Sequence, residues 1–207
     1  MKTAVLIDGG HLRACALDAR KTYDNALIDS FARSCFAGDE YLFRIFYYDA
    51  PPFRGKRTLP VSGEEKSFTG SDKWLRDLEK LERFAVRRGT LGFRGWKPRK
   101  IPIAGSELKD SDFKPVFEQK GVDMRIGLDI ATFAKNRSVE RILLVSGDQD
   151  MIPAIKEARK AGLEVGVIQL EPPAAPLHDQ IASHADFVRV IAWPEARTDP
   201  VEVDQVK

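Results

Sequence analysis

The sequence predicts an α/β sandwich on a largely parallel sheet, and three observations carry that reading. Short β-favouring runs alternate with segments of helical apolar spacing. "RILLV" (141–145) is continuously apolar, as in a strand covered on both faces. Strand candidates also end at carboxylates, with Asp8 and Asp49 closing two of them and Asp148 and Asp150 following a third. In such sheets ligands bind beyond the carboxyl ends of the strands.

Taken in order, "TAVLID" (3–8) and "LFRIFYY" (42–48) read as strands. Between them, 11–21 and 25–36 have helical spacing, with Leu27, Ile28, Phe31 and Cys35 on one face. The Gly-, Pro- and Lys/Arg-containing stretch from 54 to 70 reads as a surface loop. "SDKWLRDLEKLERF" (71–84) reads as an amphipathic helix, with Ser71 as N-cap and a stripe of Trp74, Leu75, Leu78 and Leu81. "FAVRRGTLGFRGW" (84–96) fits one strand, or a pair broken at Gly89 or Gly92, and 97–115 reads as a second loop.

From Gly121 the pattern sharpens. "VDMRIGLDIATFAKN" puts Ile126, Ile130 and Phe133 on one helical face, with Asp123 where an N-cap would stand. "MIPAIKEARKAG" has Pro153 in its first turn and Gly162 after its last Lys, as a helix punctuated at both ends should. "LEVGVIQ" (163–169) and "DFVRVIA" (186–192) complete the strands, separated by "EPPAAP" and a helical stretch near 177–185. The expectation is one domain over 1–193, with a basic, loop-rich section at about 51–120, and a polar tail over 194–207.

Of the 207 residues 43% are hydrophobic and 31% charged, enough for a core, and the net charge of +2 neither demands nor excludes a polyanion. The distribution is more telling, because 51–120 holds 17 Lys/Arg against 10 Asp/Glu. No run approaches the roughly 20 apolar residues of a membrane span, and the first apolar run is too short for a signal peptide, so no membrane association is expected. Cys15 and Cys35 match neither a zinc spacing nor a disulfide framework, which implies free thiols and a cytoplasmic location. His11, His178 and His184 are scattered, so a metal here would be held mainly by oxygen.

Each aspartate has an ordinary structural reading. Asp150 and Asp123 suit N-caps, and Asp8 in "IDGG" suits a turn. Together they say more, since carboxylates gathered at one sheet edge repel one another and a divalent cation relieves that repulsion. Mg²⁺ and Mn²⁺ take oxygen ligands and keep several waters. Asp129 shares the apolar face of its helix, so it needs a Lys, an Arg, a backbone donor or a metal shell as partner.

In series, "AVLIDGGHL", "FRIFYYDAP", "KGVDMRIGLDIATFA", "ILLVSGDQDMIPAI" and "AGLEVGVI" resemble the motifs of the NYN domain family, a branch of the PIN-like ribonuclease superfamily. The resemblance implies a three-layer α/β/α PIN-like (Rossmann-like) fold and a metal-dependent ribonuclease site, with Mg²⁺ or Mn²⁺ as cofactor. Carried over by position, Asp8, Asp123, Asp148 and Asp150 would be the catalytic and metal-holding acids, with Asp129 in support. Ser146 and Lys120 would meet phosphates. His11 stands where many relatives carry Asn, and Met151 replaces a frequent aromatic.

A nuclease also needs a surface for its polyanion. "FRGKR" (53–57), Arg87, Arg88 and "FRGWKPRK" (93–100) mix cations with Phe53, Phe93 and Trp96, a composition suited to single-stranded RNA; the plainer reading is a solvated loop. Arg94, Trp96, Lys97, Arg99 and Lys100 are the substrate-binding candidates there. The alternative function is a non-catalytic RNA-binding or regulatory module on the same fold. A haloacid dehalogenase-type phosphatase is disfavoured, because Gly10 stands where its second Asp would be. The oligomeric state is left open, a homo-oligomer included.

Overall fold

A computed structural model describes residues 1–101, 107–171 and 177–194. The first half runs β1 (Lys2–Asp8), α1 (Gly9–Asp18), α2 (Asn25–Ser34), β2 (Tyr41–Asp49), β3 (Arg54–Thr58), β4 (Glu65–Thr69), α3 (Lys73–Leu78) and β5 (Phe84–Arg88). The second half runs β6 (Thr90–Pro98), β7 (Phe113–Lys120), α4 (Val122–Asn136), β8 (Arg141–Val145), α5 (Ile152–Lys160), β9 (Glu164–Glu171), α6 (Asp179–His184) and β10 (Phe187–Ala192). Residues 102–106 of the second expected loop, the proline-rich 172–176 and the tail from 195 lie outside the described residues.

The central sheet has six strands in the order β10-β9-β8-β1-β2-β5, and every pairing in it is parallel. Along β1, Ala4 and Leu6 pack with Ile126 and Ile130 of α4 and Ile155 of α5. The alternate residues Val5 and Ile7 pack with Leu12, Ile28, Phe31 and Leu75 of the first three helices. Successive side chains of a strand point to opposite faces, so a strand covered on both must be apolar throughout. Fully burying each such side chain contributes about 1.5–3 kcal/mol, which anchors the strand ends from which the acidic residues project.

The expected loop at 54–70 is instead a hairpin, with β3 and β4 paired antiparallel from Arg54↔Thr69 to Thr58↔Glu65. The stretch 97–115 likewise gives its ends to a second hairpin, β6 with β7, bulged between Phe93 and Gly95. The first lacks the apolar alternation of a half-buried strand, since β3 is exposed throughout and β4 everywhere but Phe68. An isolated hairpin is marginal in water. Here Phe53, Phe68, Phe93, Trp96 and Phe117 supply the missing core between the two hairpins, with ring centroids 5.5 to 6.4 Å apart.

The run 84–96 divides at Gly89, with β5 closing the edge of the main sheet beside β2 and β6 leaving it. The helix expected over 71–84 spans only Lys73–Leu78, with Asp72 rather than Ser71 in the cap position. Arg83, at φ 64°, turns the chain into β5.

Candidate functional site

β8, β1 and β2 are neighbours, so their carboxyl ends form one continuous edge. Asp8 ends β1 and caps α1, its Oδ1 accepting from the amides of Gly10 (2.9 Å) and His11 (3.2 Å). The "DGG" spelling has a steric reason: a Cβ on Gly9 would lie 2.5 Å from Tyr47 Oη and 2.8 Å from Asp49 Oδ2. Past β8, Ser146 is buried, and its hydroxyl accepts from the Asp148 amide at 3.2 Å.

Asp148, not Asp150, is the cap at this edge. Its Oδ1 accepts from the Asp150 amide at 2.9 Å and opens a 3-10 turn, Gln149–Met151, that leads into α5. Asp123 is not a cap either, because Gly121 takes that position and Asp123 stands in the first turn of α4. The exposed Asp123 therefore keeps its carboxylate free of any cap bond, and Asp148 and Asp150 are likewise exposed.

Electrostatics tie these residues together. Burial is the main force raising the Asp8 carboxyl to about 6; the amide bonds to His11 and Gly10 oppose the rise, and the nearby charges of Asp123 and Asp49 add to it. Asp123 is raised by burial and then by Asp148 and Asp150. Asp8, Asp123, Asp148 and Asp150 thus sense one another in a chain, and among the described residues none of them forms an ion pair with Lys, Arg or His. The His11 ring lies over the same edge, against Gly147, where a Cβ would come within 2.9 Å of Cε1. Burial lowers the pKa of His11 and so favours its neutral form.

The two other acids of this region have protein partners. Asp49 is 1% exposed; it pairs with Arg13, accepts from Tyr47 Oη at 3.1 Å and receives the Ala50 amide at 2.7 Å. Although it ends a strand, Asp49 therefore points into the protein. Asp129 Oδ2 accepts from Tyr48 Oη at 2.8 Å and from Arg87 Nε at 2.9 Å, which answers the sequence's question about its partner with an Arg and a Tyr.

The remaining candidates lie on the hairpins. Lys120 ends β7, three residues before Asp123, with Nζ 4.0 Å from Glu118 Oε2. Arg94 pairs with the same Glu118. Trp96 packs on Phe68 and Phe93 and donates from Nε1 to the Thr58 carbonyl at 2.8 Å. Arg99 donates to the Ser111 carbonyl, while Lys97 and Lys100 are exposed. Arg57 sits over Phe53 and Phe93, and Lys66 over Phe68 and Trp96, so cations cover the aromatic cluster.

The edge suits a hydrated divalent cation by its chemistry. Asp8 and Asp148 each commit Oδ1 to backbone amides and leave Oδ2 without a protein partner among the described residues, and every side-chain donor in the acid set is oxygen. Among the described residues no three Asp, Glu, His or Cys side chains converge closely enough to share one ion directly.

A model of the NYN domain matches residues 2–188, nearly the whole chain, and the chain belongs to the NYN domain family. It is also similar to the uncharacterized protein y4oD of Sinorhizobium fredii (strain NBRC 101917 / NGR234), 29% identical over 69 residues. That match spans 33% of this chain and 32% of the relative. No solved structure matches the chain. Among the described residues no helix is long and apolar enough to cross a membrane.

Sequence reasoning missed Arg13, Tyr23, Tyr47, Tyr48 and Gln119, all of which pack at or beside this edge, and it read Arg87 as a cation for RNA where the structure pairs it with Asp129. The only local sign was the doublet of tyrosines before Asp49.

Proposed function

We propose that the protein is a metal-dependent ribonuclease of PIN-like type that hydrolyses phosphodiester bonds of single-stranded RNA at the edge formed by Asp8, Asp123, Asp148 and Asp150. The observation that carries this reading is the unneutralised carboxylate chain, in which Asp8 is raised to about 6 and lacks any cationic partner among the described residues. A stable fold has no need of such a cluster, whereas a site for a divalent ion does. Membership of the NYN family supports the same reading.

Asp8 and Asp148 would hold a Mg²⁺ or Mn²⁺ ion through their outward oxygens, with Asp123 and Asp150 alongside and water completing the shell. Such an ion, when bound, supplies Lewis-acid polarisation of the phosphoryl group and lowers the pKa of water. The chain's own residues do the positioning. Ser146 fixes the backbone that aims Asp148, and the α1 amides fix Asp8. Neutral His11 adds a hydrogen-bonding ring without adding charge, and Lys120 offers an ammonium to a neighbouring phosphate. Asp129, held by Arg87 and Tyr48, acts by keeping α4 registered against the sheet. Lys97, Lys100 and the cations over the hairpins supply the polyanion surface.

A second reading, a non-catalytic RNA-binding module, is favoured by one observation: no three of these side chains converge on a single point among the described residues. The two readings separate when purified protein and Asp148→Asn are incubated with labelled single-stranded and structured RNAs in Mg²⁺, Mn²⁺ or EDTA. The ribonuclease cuts only with metal and slows at least about 100-fold in the variant, a loss of roughly 3 kcal/mol of transition-state stabilisation. Equal cutting by both proteins would expose a contaminant, and binding without cutting under every condition would leave the second reading.

A further inference from the structure

Next to the acidic edge lies a cavity of about 920 Å³, framed by α1, α2, the end of β2, the start of α3 and the β6–β7 hairpin. Two contacts make it continuous with the edge. Asp49, in its wall, lies 2.8 Å from where a Gly9 Cβ would be. Gln119, also in its wall, brings both amide atoms to 3.8 Å from where a Gly10 Cβ would be, directly beside the cap made by Asp8. The expected substrate strand would therefore pass the mouth of this cavity.

Its lining describes the occupant. Leu17, Ile28 and Leu91 provide apolar walls, and Tyr23 and Trp74 provide aromatic ones, with the Arg13 guanidinium 5.4 and 5.7 Å from the two ring centroids. The charges are already spent within the protein. Arg13 pairs with Asp49, Lys73 Nζ is 2.5 Å from Asp77 Oδ2, and the wall's remaining charge is the carboxylate of Asp24. A phosphate finds no unpaired cation in such a cavity. A flat, neutral group with polar edges finds aromatic walls and unbonded edge partners, because Gln119's amide, Asn25 Oδ1 and Trp74 Nε1 have no protein partner among the described residues.

We infer that this cavity receives one unpaired nucleobase of the RNA strand, splayed out beside the scissile phosphate, stacked on Tyr23 or Trp74 and read along its edge by Gln119 and Asn25. The inference rests on the ribonuclease reading for its substrate, but the pocket can be tested apart from cleavage. Stacking on an aromatic with amide readout discriminates a base from its absence by about tenfold or more.

The test uses the full chain in EDTA with each of the four ribonucleosides at millimolar concentration, read by saturation-transfer NMR. In parallel, single-stranded RNAs carrying one abasic riboside, walked along the sequence, are cleaved in Mn²⁺. Leu17→Trp and Ser71→Trp fill the cavity from its exposed rim, and thermal unfolding checks that both variants fold. The expected result is transfer to base protons that falls at least about threefold in both variants, together with cleavage that drops about tenfold when the abasic position meets one fixed place relative to the cut. Absent transfer, or transfer unchanged in both folded variants, overturns the pocket, and cleavage persisting in that case leaves the ribonuclease reading standing. Transfer lost in the variants with no cleavage of any RNA upholds the pocket as a base site and overturns the ribonuclease reading instead.

Discussion

At the amino-terminal edge of the sheet Glu40, with no exposed side-chain surface, is enclosed by Arg189 and Arg141, while Arg141 also reaches Glu164 and both guanidiniums lie over Phe187. Burial opposes its ionisation, but hydrogen bonds from Arg189, the Ala37 amide and Arg141 outweigh burial and hold its pKa at about 2. At the carboxyl-terminal edge Asp8 has two amide donors, acidic neighbours and no cation among the described residues, and burial raises its pKa to about 6. The same sheet thus satisfies acids at one end and leaves them in deficit at the other. The deficit is where chemistry can be placed, because an arriving cation relieves a cost already present in the fold.

Glu40→Gln should give the largest change, lowering stability at pH 7 by about 3 kcal/mol in urea unfolding, since it leaves the largely buried Arg189 guanidinium without an anion and Arg141 with Glu164 alone. Because Glu40 titrates lower when folded than when unfolded, its contribution is present above pH 4.5 and fades as pH falls toward about 2. The difference between variant and wild type should shrink over that window. An unchanged urea midpoint at pH 7 would erase the contrast between the two edges.

Asp8→Asn should move stability the other way. Asp8 titrates higher when folded, so its ionised form weighs against the native state increasingly as pH rises from 3.8 through about 6. Asparagine keeps the cap acceptor and removes the charge. In EDTA the variant should be more stable by on the order of 2 kcal/mol at pH 7.5 and no different at pH 3. Millimolar Mn²⁺ should raise the melting temperature of the wild type more than that of the variant.

Tyr48→Phe probes an acid that is satisfied at the carboxyl-terminal end. Loss of the hydroxyl from Asp129 should cost about 1 kcal/mol in thermal unfolding, with Arg87 retained as partner. The smallest effect on stability, within about 0.5 kcal/mol, belongs to Arg94, Lys97, Arg99 and Lys100 replaced together by Ala. RNA binding should still weaken about tenfold, with a shallower salt dependence by roughly 0.7 per lost phosphate contact. An unchanged salt slope would remove the hairpins from the RNA surface.

The central sheet was legible because both faces of its strands are buried, which spells them as unbroken apolar runs such as "VLI" and "ILLV". The hairpins were not, because β3 reads "RGKRT" and is held by a core that Phe53, Phe68, Phe93, Trp96 and Phe117 form only after 65 residues of chain come together. Strand ends alone offered Asp8, Asp49, Asp148 and Asp150, and only the family resemblance put Asp123 in place of Asp49, which the structure turns inward onto Arg13; the expected caps are each displaced by two residues, Asp148 doing what Asp150 was expected to do and Gly121 what Asp123 was. Asp129's partner Tyr48 lies 81 residues away, and no local pattern encodes such a pairing.

The long hairpin begins at Thr90 and ends at Lys120, and these two residues face each other across the ladder. Facing residues of an antiparallel pair stand about 5 Å apart, so the chain leaves and rejoins the body at almost the same point. Gly89 and Gly121 flank that point, one following β5 and the other preceding α4. The Thr90–Lys120 rung, rather than the outer length of the hairpin, therefore sets where α4, the carrier of Asp123, begins.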